Sequence, residues 1–244
     1  MGVSVPSRRV LGLFAVAILA SGVAAADTIE VTSVGLGDSG MYIDENGTPT
    51  DVYFAGIINI QLIDSAGTFD RTTMCVQLLT DIDLSVVYNT TVLLPSQVTV
   101  TPPPSVGDLE QIAWLLDNET PTTGDQAAGL QLAIWKITQD GVYTGGSNPF
   151  TTGTVQESTG TATPAAILTY AEGYLTDSVG RSSDLAYVYE NSTQADPPVA
   201  AQMLEGLEYS TGPQPSTPES STFVLAGVAL LALGHTARRK LGSR

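Results

Sequence analysis

Hydrophobic and polar positions alternate along the first part of the chain, and the spacing becomes helical after residue 105. Stretches rich in Val, Ile, Thr and Tyr are separated there by Gly, Asp, Asn and Pro, a pattern typical of β-strands joined by turns. The alternation predicts strands over residues 28–35, 52–63, 72–79, 85–94 and 97–100. The Thr-Pro-Pro-Pro-Ser segment at 101–105 then interrupts the pattern, because proline fixes φ and lacks a backbone donor.

The region after this break has the apolar spacing of helices. Asp108 is suited to cap a helix over 109–116. Thr123 or Asp125 is suited to begin a second helix that reaches Ile137 or beyond.

A third helix is predicted over 165–175, with Pro164 in its first turn. Residues 184–191 are predicted to form a returning strand, and 144–161 and 192–199 are rich in loop-forming residues. This order predicts an α+β fold, a β-sandwich or barrel with a helical subdomain inserted in its second half.

Residues 1–26 have the features of a secretory signal peptide. Two arginines form a short basic start, an apolar run follows over 10–20, and small alanines precede Asp27. We therefore expect export, with cleavage after Ala26.

The other end of the chain has the features of a membrane anchor. A Pro/Ser/Thr-rich linker is expected over 192–217, followed by an apolar segment over 223–234 and a basic cluster at 238–240. Taken generously over 220–237, the segment makes about 27 Å of helix, which is at the short end of what spans a bilayer. The basic cluster is expected to hold its end on the cytoplasmic side.

Acidic residues dominate residues 27–217, which is one domain's worth of chain. This region contains 24 of the 25 Asp and Glu residues, but only Arg71, Lys136 and Arg181 of the nine Lys and Arg residues. The balance excludes nucleic acid as a partner, since nothing would neutralise the phosphates. A solvated acidic surface explains the composition, and calcium affinity is the alternative.

The chain offers few residues for catalysis or metal binding. Its single histidine, His235, lies in the C-terminal tail, and Cys75 is its single cysteine. A Ser-His-Asp or Cys-His arrangement, an intramolecular disulfide, and a histidine or thiolate metal site are therefore excluded from the folded region. We expect no cofactor and no enzymatic turnover.

Gln131 and Cys75 each stand out against their surroundings. On a helix, Gln131 has apolar neighbours one turn away, so it is predicted to be buried, where an unpaired amide is costly. Cys75 lies in a β-like run, and an unpaired thiol in an exported protein is open to oxidation. The ordinary explanations are a hydrogen-bonded core glutamine and a small buried hydrophobe.

An internal thioester would explain both residues. If the sulfur of Cys75 attacks the side-chain carbonyl of Gln131 with loss of ammonia, the thiol is masked and the amide becomes an activated acyl group. Burial would exclude water until a nucleophile arrives. Treated like a disulfide across this separation of 56 residues, the bond would contribute up to about 4 kcal/mol of stability.

The segments around these residues resemble the thioester domain of bacterial surface-exported adhesins. The similarity rests on Cys75 in "MCV", on "LEQIAWLLDN" with Gln111, and on "QLAIW" from Gln131 to Trp135, and it covers about residues 29–189. The resemblance implies that Cys75 and Gln131 form the bond, supported by Gln111 and Trp135. It also implies covalent attachment to an amine on a target surface.

Three positions depart from the pattern of that family. Met74 replaces an aromatic residue, Gln77 stands where an acid is common, and Leu130 replaces threonine. These departures leave open the alternative that the fold is kept without the bond. For Gln111 an ordinary polar role near the start of a helix is the alternative, and for Trp135 a place in the core.

The C-terminal residues resemble a PEP-CTERM sorting tail. Pro218, Glu219 and Ser221, followed by the apolar segment and the basic cluster, carry the similarity over 218–244, with Ser220 in place of the second proline of the motif. The resemblance implies transient retention in the inner membrane and processing by an exosortase-type enzyme. A plain single-pass anchor is the alternative.

Three functional hypotheses follow. The first is an exported cell-surface or matrix protein that attaches through its thioester to an amine-bearing surface or matrix target. The second is a non-covalent structural protein of the biofilm matrix that keeps the fold without the bond. The third, an acidic calcium-dependent or carbohydrate-binding module, rests on composition alone.

Overall fold

The structure is a computed structural model that describes residues 27–38, 41–45, 48–52, 54–78, 82–99, 104–157, 163–192 and 203–207. The expected signal peptide, the sorting tail with Pro218 and Glu219, and most of the expected linker lie outside these residues. Among the helices that the structure describes, none is both long enough and apolar enough to cross a membrane.

Nine strands and three α-helices make up the described part of the chain. The strands are β1 (Asp27–Asp38), β2 (Met41–Glu45), β3 (Thr48–Val52), β4 (Ala55–Asp64), β5 (Gly67–Cys75), β6 (Val87–Leu93), β7 (Val155–Glu157), β8 (Ala186–Ser192) and β9 (Leu204–Leu207). The α-helices are α1 (Val106–Asn118), α2 (Gly124–Asp140) and α3 (Ala165–Asp177), and short 3₁₀ turns lie at Pro95–Gln97 and Pro149–Thr151.

Six of the strands close into an antiparallel barrel in the order β1, β4, β5, β9, β8, β6, with β6 returning to β1. The other three form a small sheet in the order β3, β2, β7. The three α-helices all lie between β6 and β8 in the chain. The fold is therefore mixed α and β, and its closed sheet is a barrel.

Strand alternation decides which side chains fill the barrel. On β1 and β4, Val31 lies opposite Ile60, and both are buried. Ile60 lies opposite Arg71 of β5, so alternation places Cys75 on the same interior face. Cys75 in turn lies opposite Leu204 of β9.

The outer face of β5, β9 and β8 is also buried. Glu205 of β9 lies opposite Met74 of β5 and Val188 of β8, and all three side chains are buried. Helix α1 packs against β8 and β9 and so covers this face. The barrel is thus flanked by helices on this side.

The helix boundaries follow their capping residues. The side chain of Thr123 accepts a hydrogen bond from the backbone N–H of Gln126, so α2 begins where the sequence predicted. The cap of α1 is Ser105 and not Asp108, which instead completes a capping box by accepting the backbone N–H of Ser105 at 2.7 Å. Helix α3 begins after Pro164, as expected.

Helices α2 and α3 approach each other closely at Gly129. A Cβ built at this position would lie 2.7 Å from the Cβ of Tyr170 and 2.9 Å from the carbonyl oxygen of Ile167. Gly129 therefore allows the two backbones to come together just before Gln131.

Several expected elements differ in the structure. The strand predicted over 97–100 is wrong for its described residues, because Pro95 starts a 3₁₀ turn in which Gln97 accepts the backbone N–H of Leu94. Strand β7 lies in the segment predicted to be a loop, and β9 completes the barrel from within the range expected to be a linker.

Candidate functional site

The structure brings Cys75 and Gln131 into direct contact. The backbone N–H of Cys75 donates to Oε1 of Gln131 at 3.0 Å, and Nε2 of Gln131 donates to the carbonyl oxygen of Cys75 at 2.6 Å. Gln131 is 0 % exposed and Cys75 is 6 % exposed. The carboxamide of one residue therefore lies against the backbone of the other in a site from which water is largely excluded.

The end of strand β5 creates this contact. Pairing between β4 and β5 ends where Ile57 lies opposite Met74, one residue before Cys75. The backbone N–H of Val76 donates to the carbonyl oxygen of Met203, the residue just before β9, so the backbone of Val76 points to the β9 edge of the strand. Because backbone groups of successive residues point to opposite edges of a strand, those of Cys75 point to the edge that β4 has left. Gln131 occupies that edge.

Helix α2 carries Gln131 and places its carboxamide beside Cys75. The side chains one turn before and after Gln131, those of Ala127, Ala128, Ile134 and Trp135, are all buried. Helix α2 packs against α3, β4 and β1. Gln131 is thus a polar group within the apolar face of the helix, and the backbone of Cys75 satisfies it.

The arrangement suits acyl chemistry at the side-chain carbonyl of Gln131. The N–H of Cys75 points at Oε1, where negative charge develops when a nucleophile adds to the carbonyl carbon. The nitrogen that would leave as ammonia is Nε2, which is hydrogen-bonded to the carbonyl oxygen of the same cysteine. One residue therefore provides a sulfur nucleophile and a donor for the developing oxyanion.

Gln111 makes its hydrogen bonds at a different place. Its Nε2 donates to the carbonyl oxygens of Tyr143 and Ser178 and to the Ser178 hydroxyl, and its Oε1 accepts the backbone N–H of Tyr143 at 2.8 Å. Gln111 is 1 % exposed. It thereby joins α1 to the segment after α2 and to the end of α3.

Trp135 lies one turn after Gln131 and is buried. Its Nε1 has no hydrogen-bond partner among the residues that the structure describes. Trp114 is half-buried against the core, and the guanidinium of Arg181 lies 5.7 Å from the centre of its ring. Trp135 therefore contributes apolar surface beside Gln131.

Lys136 follows Trp135, and its ammonium group is enclosed. Nζ donates to the carbonyl oxygens of Thr152 at 2.5 Å and Val155 at 2.9 Å, and it forms a salt bridge with Asp140 at 2.6 Å. Burial alone would raise the pKa of Asp140, but the hydrogen bonds from Lys136 and Thr154 lower it. The ammonium group ties α2 to the segment that leads into β7.

Glu205 is a buried carboxyl group that the sequence did not single out. Neither of its carboxyl oxygens has a hydrogen-bond partner within the described part of the chain. Burial raises the pKa of Glu205 well above its usual value, and the Asp184 carboxylate raises it further. A single glutamate among apolar residues gives no periodic signal, which is why the sequence did not indicate its burial.

The three departures from the thioester-domain pattern lie close to the site. Met74 and Leu130, which precede Cys75 and Gln131, are both buried. Oε1 of Gln77 accepts the backbone N–H of Met203 at 3.1 Å, just before β9. Gln77 therefore helps to fix β9 beside β5.

Comparisons with known proteins add no assignment, since no known family, curated protein or solved structure matches the chain. Within the described residues, no group of three or more His, Cys, Asp or Glu side chains is arranged to hold a metal ion.

Proposed function

We propose that this protein is exported to the cell surface or extracellular matrix, where a thioester between Cys75 and Gln131 attaches it to an amine on a target surface. The observation that carries the proposal is the pair of hydrogen bonds by which the buried carboxamide of Gln131 is held against Cys75. The carboxamide that the chemistry requires thus contacts the backbone of the residue that carries the thiol, 56 positions away in the chain.

Formation of the bond is a balanced exchange. The sulfur of Cys75 adds to the carbonyl carbon of Gln131, the C–N bond breaks, and the thiol proton leaves with the amide nitrogen as ammonia. The N–H of Cys75 stabilises the oxyanion in the addition step. Enclosure by the barrel end and α2 slows hydrolysis of the product.

Attachment reverses the roles of sulfur and nitrogen. A primary amine adds to the same carbonyl carbon, the C–S bond breaks, and an amide joins Gln131 to the target while Cys75 regains its thiol. The bond is consumed by this step, so the protein acts once and does not turn over. The target is an amine-bearing surface or matrix component.

The architecture and the two ends of the chain fit this role. A barrel with three helices between β6 and β8 agrees with the order of strands and helices that the sequence pattern predicted. A signal peptide at 1–26 directs export. The tail at 218–244, with Pro218 and Glu219, holds the protein in the inner membrane until an exosortase-type enzyme releases it.

A second function is favoured by the same contact. Both polar ends of the Gln131 carboxamide are already satisfied by Cys75 in the non-covalent state. The protein could therefore serve as a non-covalent structural component of the matrix, with Gln131 as a packing element.

Intact mass spectrometry of the purified protein decides between these two functions. The thioester lowers the mass by one ammonia, and methylamine adds at Gln131 and frees the Cys75 thiol. Cys75→Ala and Gln131→Ala must each abolish both the mass deficit and methylamine addition, whereas Gln139→Ala on the same helix must leave both unchanged. A full mass with a titratable thiol in fresh protein would overturn the thioester and favour the non-covalent function.

A further inference from the structure

A small cavity lies on the outer face of β5, beside both halves of the Cys75–Gln131 contact. Its volume is about 100 Å³, and Met74 and Leu130, the residues that precede Cys75 and Gln131, both line it. These two side chains are buried, whereas Thr120 on the rim is exposed. The cavity therefore reaches from solvent to the residues next to Cys75 and Gln131 in the chain.

The loop between α1 and α2 supplies the rim of this cavity. Glu119, Thr120 and Pro121 line it from that loop, and the hydroxyl-bearing Thr72 and Thr73 line it from β5. Glu119 is half-buried, and among the described residues that line the cavity it is the only one with an ionisable side chain. An anionic group at the mouth of an otherwise apolar and hydroxyl-lined cavity attracts a cation.

We propose that this cavity receives the primary amine that reacts at Gln131, and that Glu119 binds its ammonium group and accepts the proton. This inference rests on the proposed function, since an amine site has no use without the thioester. It names the substrate class as an unbranched alkyl amine, such as a lysine side chain. The volume is smaller than the roughly 150 Å³ of an engineered cavity that holds benzene, so an unbranched alkyl amine fits better than an aromatic amine.

The electrostatics around Glu119 suit this role. Burial raises the pKa of Glu119, and the neighbouring Asp177 carboxylate raises it further. A carboxylate with a raised pKa is a stronger base, which favours removal of a proton from a bound ammonium group. Asp177 adds a second negative charge that attracts the same cation.

The step balances in atoms and charge. Glu119 takes one proton from the ammonium ion, and the neutral nitrogen attacks the carbonyl carbon of Gln131. The C–S bond then breaks, and the Cys75 thiolate takes the second proton that the new amide nitrogen loses. The proton on Glu119 passes to solvent, since the group is partly exposed.

The test compares rates of amine addition in the purified protein by intact mass. We expect Glu119→Gln to keep the ammonia-sized mass deficit but to slow addition of n-butylamine at least about tenfold. Glu110→Gln, which changes a half-buried glutamate of α1 that does not line the cavity, is the matched control and must react at the wild-type rate. In the wild type, benzylamine must react more slowly than n-butylamine.

Failure of the inference and failure of the proposed function give different results. A mass deficit in all variants, with equal rates for Glu119→Gln and Glu110→Gln, overturns the amine site and leaves the thioester standing. Equal rates for benzylamine and n-butylamine overturn it as well. A wild-type protein without the mass deficit overturns both.

Discussion

The side-chain carboxamide of Gln131 pairs with both backbone hydrogen-bonding groups of Cys75, across 56 residues of chain. The carboxamide extends the hydrogen-bonding edge of β5 at the point where β4 has turned away to pair with the end of β1. Helix α2 and strand β5 are therefore joined whether or not a covalent bond forms between these two residues.

Gln131→Leu is expected to destabilise the fold even where no thioester can form. In a Cys75→Ala background the backbone groups of residue 75 remain, so Gln131→Leu leaves a buried N–H and a buried C=O unsatisfied. Each costs about 1–3 kcal/mol, and we expect the free energy of unfolding in urea to fall by about 2–6 kcal/mol. Gln139→Leu in the same background is the control, with an expected change within about 0.5 kcal/mol. Equal losses for the two would contradict the importance of this contact.

Gln111→Leu is expected to lower stability without affecting the thioester. The substitution removes hydrogen bonds to Tyr143 and Ser178, and it leaves the backbone N–H and carbonyl groups of half-buried Tyr143 without the side chain that pairs with them. We expect a loss of about 2–4 kcal/mol in chemical unfolding, while folded protein keeps the mass deficit of the wild type. If Gln111 instead acts on the bond, as the family resemblance implies, the variant will fold but show the full mass.

Much of this architecture is predictable from periodicity and capping. The apolar stripe around Gln131 predicts a buried helix, and Thr123 and Pro164 mark the starts of α2 and α3 within a residue. These elements are long and their signals are local, so the sequence pattern is sufficient to find them.

The short strands and the pairing of distant residues are not predictable in this way. Strand β9 has four residues and follows a proline-rich segment, and β2 and β3 are rich in polar and turn-forming residues. Each is defined by its partner strand and not by its own pattern. Likewise, the polarity of Gln131 indicates a need for a partner, but only the closed barrel determines that Cys75 meets it.

Glu205→Gln is expected to change the pH dependence of stability. The folded pKa of Glu205 is raised above the unfolded value near 4.5, so its contribution is fully present below pH 4.5 and is lost as pH rises through the folded pKa. As the pH rises above 4.5, the free energy of unfolding of the wild type should therefore fall relative to that of Glu205→Gln, by at most about 1.4 kcal/mol per pH unit. Thermal unfolding of both proteins between pH 4 and pH 8 measures the difference. Parallel curves would mean that Glu205 is solvated or paired in solution.

Lys136 is expected to remain unreacted even though it is close to Gln131 in the chain. The two side chains are five residues apart on α2, which places them about 140° apart around the helix axis. The ammonium group is also bound to Asp140, Thr152 and Val155, so it is held away from Gln131. Peptide mapping after prolonged incubation should therefore find no cross-link between Gln131 and Lys136.

Lys136→Arg provides the matched variant, because it keeps the positive charge and removes the primary amine. Methylamine addition at Gln131 should proceed at the same rate in this variant as in the wild type. A Gln131–Lys136 cross-link that disappears in Lys136→Arg would show that the chain consumes its own thioester. That result would redirect the proposed function from attachment to internal stabilisation, since no acyl group would remain for an external amine.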